Sequence, residues 1–298
     1  MSSIGKIVIY LIAVLASAVL LSPPIYWLCQ WLIAHGNLEF LRGFPFHRYF
    51  SRTLQVSAIV LLVPLFFSLG IRNLRALGLN PDGRRVLNWA GGFFAGLLPV
   101  ALFAGIVLWT GIYQWRANAD PEKLLRIACT ALVVGGIEEF LFRGILLGLL
   151  VNAFGKIAGL VMSSAIFAVV HFLRPTRPAH SGPVTWTSGW EQLISFTQSW
   201  PEGQMFAYGL ATLFVAGAIL ALLRLRTSAL WGAFGMHAGW IFAQQSLNHF
   251  AKFRPTPVGE YLPWIGPSLV SGVVPTGLAP LGVLLLGALL AWKWVRQA

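Results

Sequence analysis

Long apolar runs separated by short polar connections set the rhythm of this chain. A helix needs about 20 apolar residues to cross the hydrocarbon core of a bilayer. Eight stretches approach or exceed that length: roughly 7–33, 54–71, 89–113, 125–153, 156–173, 205–223, 228–247 and 275–294. The first and fourth are longer than needed and are expected to tilt, kink or protrude, the first at Pro23-Pro24. Met1 to Lys6 followed by Ile7 to Leu21 has the outline of a removable signal. Apolar sequence resumes at Ile25, however, and no clear cleavage site follows the run, so a retained first span is expected. Arg72 to Asn88 carries Arg72, Arg75, Arg84 and Arg85 around Leu77-Gly78-Leu79 and is expected at the membrane surface. Arg174 to Gln204 is rich in Pro, Thr, Ser and Trp, with a short interfacial helix expected over Trp186 to Trp200. Lys252 to Pro275 is broken by prolines and is expected to be irregular. The fold class is therefore all-α: a polytopic membrane protein, a bundle of about eight transmembrane helices.

Composition agrees. Only 10% of the 298 residues are charged and 57% are apolar, against about 25% charged in a soluble domain. The 13 Trp and 21 Phe suit lipid contact and interfacial belts. A net charge of +12 would point to nucleic acid in a soluble protein. Here the basic residues lie between the apolar runs, so anionic headgroups are the simpler partner and no nucleic acid is expected. Lys and Arg outside the spans divide evenly between the two sides, and the positive-inside rule gives no orientation. The acids, most of them on one side, favour both termini in the cytoplasm of a protein of the cell (inner) membrane. Cys29 and Cys129 form no Cys-x-x-Cys pair, so no thiolate metal site is indicated. Glycines spaced by four (Gly92/Gly96, Gly144/Gly148, Gly155/Gly159, Gly235/Gly239) mark expected close helix contacts.

Against this background, Glu138 and Glu139 stand out. A carboxylate near the bilayer centre costs about 2.5–3.5 kcal/mol on insertion scales, so it is a site hypothesis by default. Arg143 follows Glu139 by four residues, the favourable order for a helical ion pair. Glu138 is turned about 100° from Glu139, so the two acids are expected to address different neighbours, one structural and one facing a cavity. The fifth span brings His171 and the seventh His237. A lone His on an apolar helix is more often a packing residue than a catalyst. Three spans each bringing an expensive group weaken that bland reading, because buried ionisable groups find one another.

A carboxylate and two imidazoles in a wet pocket suit hydrolysis of a peptide bond by water. One group takes the water's proton and another donates to the oxygen that becomes negative. The same three groups can alternatively hold a zinc ion with an open position, although no His-Glu-x-x-His helix is present.

At these residues the chain resembles the CAAX protease and bacteriocin-processing (Abi) family of intramembrane endopeptidases. The family's Glu-Glu-x-x-x-Arg motif stands as Glu138-Glu139-Phe140-Leu141-Phe142-Arg143. Its Phe-x-x-x-His motif stands as Phe167-Ala168-Val169-Val170-His171, and its His-x-x-x-Asn motif begins at His237. The resemblance implies an Abi-like catalytic core over 125–247. N-terminal helices and the surface segment occupy 1–124, and a loop and last helix occupy 248–298, all in one integrated membrane domain. It further implies that Glu138 and His171 activate water, that His237 helps to form the oxyanion site, and that Glu139 and Arg143 support them. No cofactor is obligatory on this reading. If the reaction is metal-dependent, Glu138, His171 and His237 are the implied zinc ligands. The implied substrate is a membrane-associated or lipidated peptide or protein.

One departure matters. Ile241 stands where the third motif has Asn, and it donates nothing. Gln244, seven residues after His237 and on the same helix face, or a backbone N–H, is the expected stand-in. Without one, the rate falls by about 10²–10³. Two other functions compete: a non-catalytic immunity or assembly factor that binds a peptide or lipidated partner, and a proton-coupled transporter. No internal repeat supports the latter.

Overall fold

The computed structural model describes residues 3–70, 74–79, 83–117, 120–172, 182–196, 203–254, 260–266 and 276–295. In chain order the principal elements are α1 (Ser3–Ala34), α2 (Phe46–Val60), α3 (Leu62–Leu69), α4 (Arg85–Trp109), β1 (Tyr113–Trp115) and α5 (Lys123–Glu139). A π-helical segment (Phe140–Leu146) leads into α6 (Leu147–Phe154) and α7 (Lys156–Val170). Then come α8 (Ser188–Ser195), α9 (Gly203–Thr227), α10 (Trp231–Phe250), β2 (Ala251–Phe253) and α11 (Leu278–Trp294). The chain divides into two compact units, Met1–Arg72 with Phe172–Trp200, and Asn73–His171 with Pro201–Ala298.

The first unit is built from α1, α2, α3 and α8. Helix α1 runs through Pro23 and Pro24 without interruption. The second span begins at Phe46, not near residue 54, because α2 is amphipathic. Arg48, Ser51, Arg52 and Gln55 break the apolar run, while Tyr49, Phe50, Thr53 and Ser57 turn inwards. Ala18, Phe50 and Phe196 form the core, with the two Phe rings edge to face at 5.5 Å. Helix α8 lies within the expected interfacial helix; 197–200 of that expectation lie outside the described residues.

The second unit is organised around α10. A Cβ at Gly235 would collide with the Trp89 carbonyl, and one at Gly239 with that of Phe93; at Gly92 and Gly96 it would meet the carbonyls of Gly232 and Met236. Only glycine lets α4 and α10 approach this closely. Gly159 similarly meets Val151, whereas Gly148 and Gly155 face open space, so neither the Gly144/Gly148 nor the Gly155/Gly159 spacing marks a paired contact. Ala95, Val100, Ala216, Leu220, Met236, Trp240 and Leu284 from α4, α9, α10 and α11 form the largest core. Strands β1 and β2 pair antiparallel, Tyr113 opposite Phe253. Three residues are too few to carry an alternating signal, so this ribbon was not expected. The connection before α4 also differs from expectation. Leu77 is buried, and the Gly78 carbonyl accepts from the Leu230 N–H at 2.9 Å. The apolar Leu77-Gly78 pair thus docks into the bundle instead of lying on the surface; 71–73 and 80–82 are outside the described residues.

Among the described residues, four helices are long and apolar enough to cross a membrane: Ile4–Ala34, Phe46–Leu69, Arg85–Trp109 and Gly203–Thr227. Lys156–Val170 and Leu278–Trp294 are apolar but shorter. The other two expected spans, α5 to α6 and α10, are those that carry the polar residues. Large apolar side chains such as Leu20, Leu102, Trp109 and Leu289 point outwards. Water would not tolerate so much exposed apolar surface, and lipid does. The protein is an all-α polytopic membrane protein.

Candidate active site

All five site residues expected from the sequence meet inside the second unit. Helix α5 ends on Glu138 and Glu139, the π-helical segment supplies Arg143, and α10 supplies His237. His171 caps α7. Its Nδ1–H donates to the Phe167 carbonyl at 2.7 Å, satisfying an acceptor that the helix end would otherwise leave bare.

Glu139 is the anchor. Its Oε1 accepts from Arg143 Nη1 at 2.7 Å and from His237 Nδ1 at 2.8 Å, with all three side chains almost fully buried. Arg143 Nη2 donates to the Gly217 carbonyl at 3.2 Å, and its guanidinium lies 4.3 Å from the Phe167 ring centroid. The charge is thus met by a carboxylate, a backbone dipole and an aromatic face.

The hydrogen bonds fix both imidazoles. A carbonyl can only accept, so His171 carries its proton on Nδ1. A carboxylate paired with Arg143 also accepts, so His237 donates through Nδ1. In the neutral rings each Nε2 therefore bears a lone pair, and both face one atom. Glu138 Oε2 lies 3.6 Å from His171 Nε2 and 3.7 Å from His237 Nε2. That oxygen is buried without a hydrogen-bond partner, although the Glu138 side chain as a whole is 27% exposed. Three acceptors converge, an arrangement made favourable by a proton or by a molecule bringing hydrogens, such as water.

The expectation that the two acids address different neighbours is overturned. His237 meets both, Glu138 through Nε2 and Glu139 through Nδ1. Gly135 explains why: a Cβ there would lie only 3.3 Å from the Ala238 nitrogen, so α10 passes close in front of both acids. Phe167 carries more than its place in a motif showed. Its ring centroid lies 4.3 Å from that of His171 and 5.8 Å from that of His237. Gly217 was missed altogether, because it acts through a carbonyl that every residue possesses. Gln244 is not brought to this group: its amide donates to Asn248 Oδ1 at 3.3 Å, and Ile241 is packed in the core. Among the described residues no group of three or more His, Cys, Asp and Glu is arranged to hold a metal ion.

The acids, imidazoles and guanidinium are thus drawn together within one unit of a membrane bundle, and the same stretch of chain matches a known family. Residues 120–243 match the family described as type II CAAX prenyl endopeptidase, Rce1-like. The matched region runs from the residues before α5 into α10 and contains all five site residues. Neither the curated proteins nor the solved structures gave a match.

Proposed function

We propose that this protein is an intramembrane endopeptidase that hydrolyses a peptide bond with water activated by Glu138 and His171. The observation that carries the reading is the buried Glu138 oxygen flanked by two imidazole Nε2 atoms at 3.6 and 3.7 Å. A water that donates one hydrogen to Glu138 Oε2 and the other to His171 Nε2 turns a lone pair towards a substrate carbonyl. As its oxygen attacks the carbonyl carbon, Glu138 takes the proton. When the tetrahedral intermediate collapses, Glu138 returns that proton to the leaving nitrogen. The products are a carboxylic acid and an amine, and no other reactant is consumed.

His237 suits the oxyanion role in one form only. Its Nδ1–H is committed to Glu139, so a second proton on Nε2 is what it donates; Glu139 then faces the imidazolium. Arg143 holds Glu139, and through it the ring of His237, in place. The family description and the lipid-facing bundle support a membrane-associated, prenylated peptide as substrate.

The test uses purified protein in liposomes with a fluorogenic peptide ending in a prenylated cysteine motif. Wild-type protein cleaves it and His171→Ala does not. Equal rates would remove His171 from the reaction. One observation favours a second reading, a factor that binds such peptides without cutting them: Ile241 offers no donor, and Gln244 spends its amide on Asn248. On that reading wild-type protein retains the peptide intact.

A further inference from the structure

We propose that Leu77 and Gly78, outside the matched region 120–243, are positioning residues for the site, a role that rests on the hydrolytic reading given above. This dipeptide touches three elements that carry groups of the site: the π-helical segment with Arg143, α10 with His237, and α9 with the Gly217 carbonyl. Leu77 is buried. It packs on Gly144, the residue after Arg143: a Cβ at Gly144 would lie 3.3 Å from the Leu77 oxygen and 3.6 Å from Leu77 Cβ. The Gly78 carbonyl accepts from the Leu230 N–H at 2.9 Å, and Leu230 is the N-cap of α10. A Cβ at Gly78 would lie 2.7 Å from both Cζ and Nε of Arg224, in the last turn of α9. Gly78 also has φ +88°, which a side chain would strain. Its N–H closes the turn on the Arg75 carbonyl at 2.9 Å.

These contacts act where the site needs them. π-Helical turns are rare and short, so nothing local defends this one against an ordinary α-helix. Gly144, within the segment, has the weakest helix preference after Pro. Reversion to α-helical pairing would turn the chain on one side of the segment by about 100° relative to the other. Glu139 stands before the segment and Arg143 within it, so the pair that orients His237 depends on the segment's register. Leu77, packed where Gly144 has no side chain, opposes that rotation. On α10, His237 follows Leu230 by seven residues; on α9, Arg224 follows Gly217 by seven. The Gly78 contacts therefore hold both helices two turns, about 10 Å, from the groups they contribute. A misplacement of about 1 Å costs about 10²-fold in rate. One dipeptide that ties three elements together thus bears on catalysis without touching substrate.

Leu77→Ala, Leu77→Val and Leu77→Met test this in the full-length protein in liposomes, with the prenylated fluorogenic peptide as substrate and thermal unfolding as the check on folding. Leu77→Ala should lower kcat per folded molecule by about tenfold or more. KM should stay within about twofold of wild type, because substrate binding is left intact. Leu77→Val should show a smaller loss of kcat, and it carries the test if Leu77→Ala does not fold. Leu77→Met, which keeps the volume, should restore the wild-type kcat. Hydrogen exchange read by mass spectrometry needs no substrate. Amides of 140–147 and 231–238 should exchange faster in the Ala or Val variant than in wild type, while those of α1 should not. A folded Leu77→Ala or Leu77→Val with wild-type kcat, a change confined to KM, an equal loss in Leu77→Met, or unchanged exchange over 140–147 would each overturn the proposal. If wild-type protein cleaves nothing, the hydrolytic reading itself has failed. Faster exchange over 140–147 then upholds the hold of Leu77 on the segment, and unchanged exchange overturns it.

Discussion

His237 Nδ1 and Arg143 Nη1 share one acceptor, Glu139 Oε1, at 2.8 and 2.7 Å. A single buried carboxylate thus sets the orientation of an imidazole and neutralises a guanidinium at the same time. Removing it does two kinds of damage. Glu139→Ala leaves Arg143 charged, buried and unpaired, which destabilises by about 3–5 kcal/mol. A large drop in the unfolding midpoint in detergent is expected, with loss of cleavage as a consequence of lost structure.

Arg143→Lys is not a conservative change here. An ammonium can reach Glu139 or the Gly217 carbonyl, but it lacks the planar fork that addresses both. Losing one hydrogen bond to a charged group costs about 1.5–3 kcal/mol. Thermal unfolding should place this variant between wild type and Glu139→Ala. A midpoint equal to that of wild type would show that the Gly217 carbonyl contributes nothing.

Two glycines give a matched pair. A Cβ at Gly217 would lie 3.1 Å from Ser164 Cα and 3.2 Å from Phe167 Cδ1, whereas nothing lies within 4 Å of one at Gly148. Gly217→Val should cost about 1–3 kcal/mol by overpacking and, by moving Phe167, lower cleavage as well. Gly148→Ala should leave cleavage unchanged and stabilise α6 by up to about 1 kcal/mol. Unfolding midpoints and initial rates for the two variants check both halves.

Ile241→Asn restores the side chain that the resembled family has at this place. If the third-motif Asn supplies an oxyanion donor, this variant should raise the turnover number by about tenfold or more, within the worth of one such donor, and lose some stability because a buried apolar side chain becomes polar. Unchanged or lower turnover in a folded variant would mean that a different group completes the oxyanion site.

The spans and the cluster were legible because each leaves a local signature. Apolar runs of about 20 residues announce membrane helices, and Glu138, Glu139, His171 and His237 are costly enough in lipid to be conspicuous one by one. What escaped was set by backbone and by neighbours. Gly217 contributes a carbonyl, which no residue type advertises. The π-helical turn at Phe140–Leu146 has no composition of its own, although such turns recur at functional sites. The early start of α2 at Phe46 was hidden by polar residues on one face, since an apolar-window reading does not see amphipathic helices. Gln244 shared a helix face with His237, but sharing a face does not give reach: seven residues carry it about 10 Å further along the axis.

The account rests on Glu138 as the group that takes a proton from water. Glu138→Gln keeps the shape and removes the basicity, and Glu138 is not the partner of Arg143, so the fold should survive. The direct measurement is the single-turnover rate of prenylated-peptide cleavage by Glu138→Gln beside wild type, in the same liposomes, with unfolding midpoints recorded for both. A rate lower by about 10²-fold or more at an unchanged midpoint is the predicted result. Cleavage by the folded variant at the wild-type rate would contradict it.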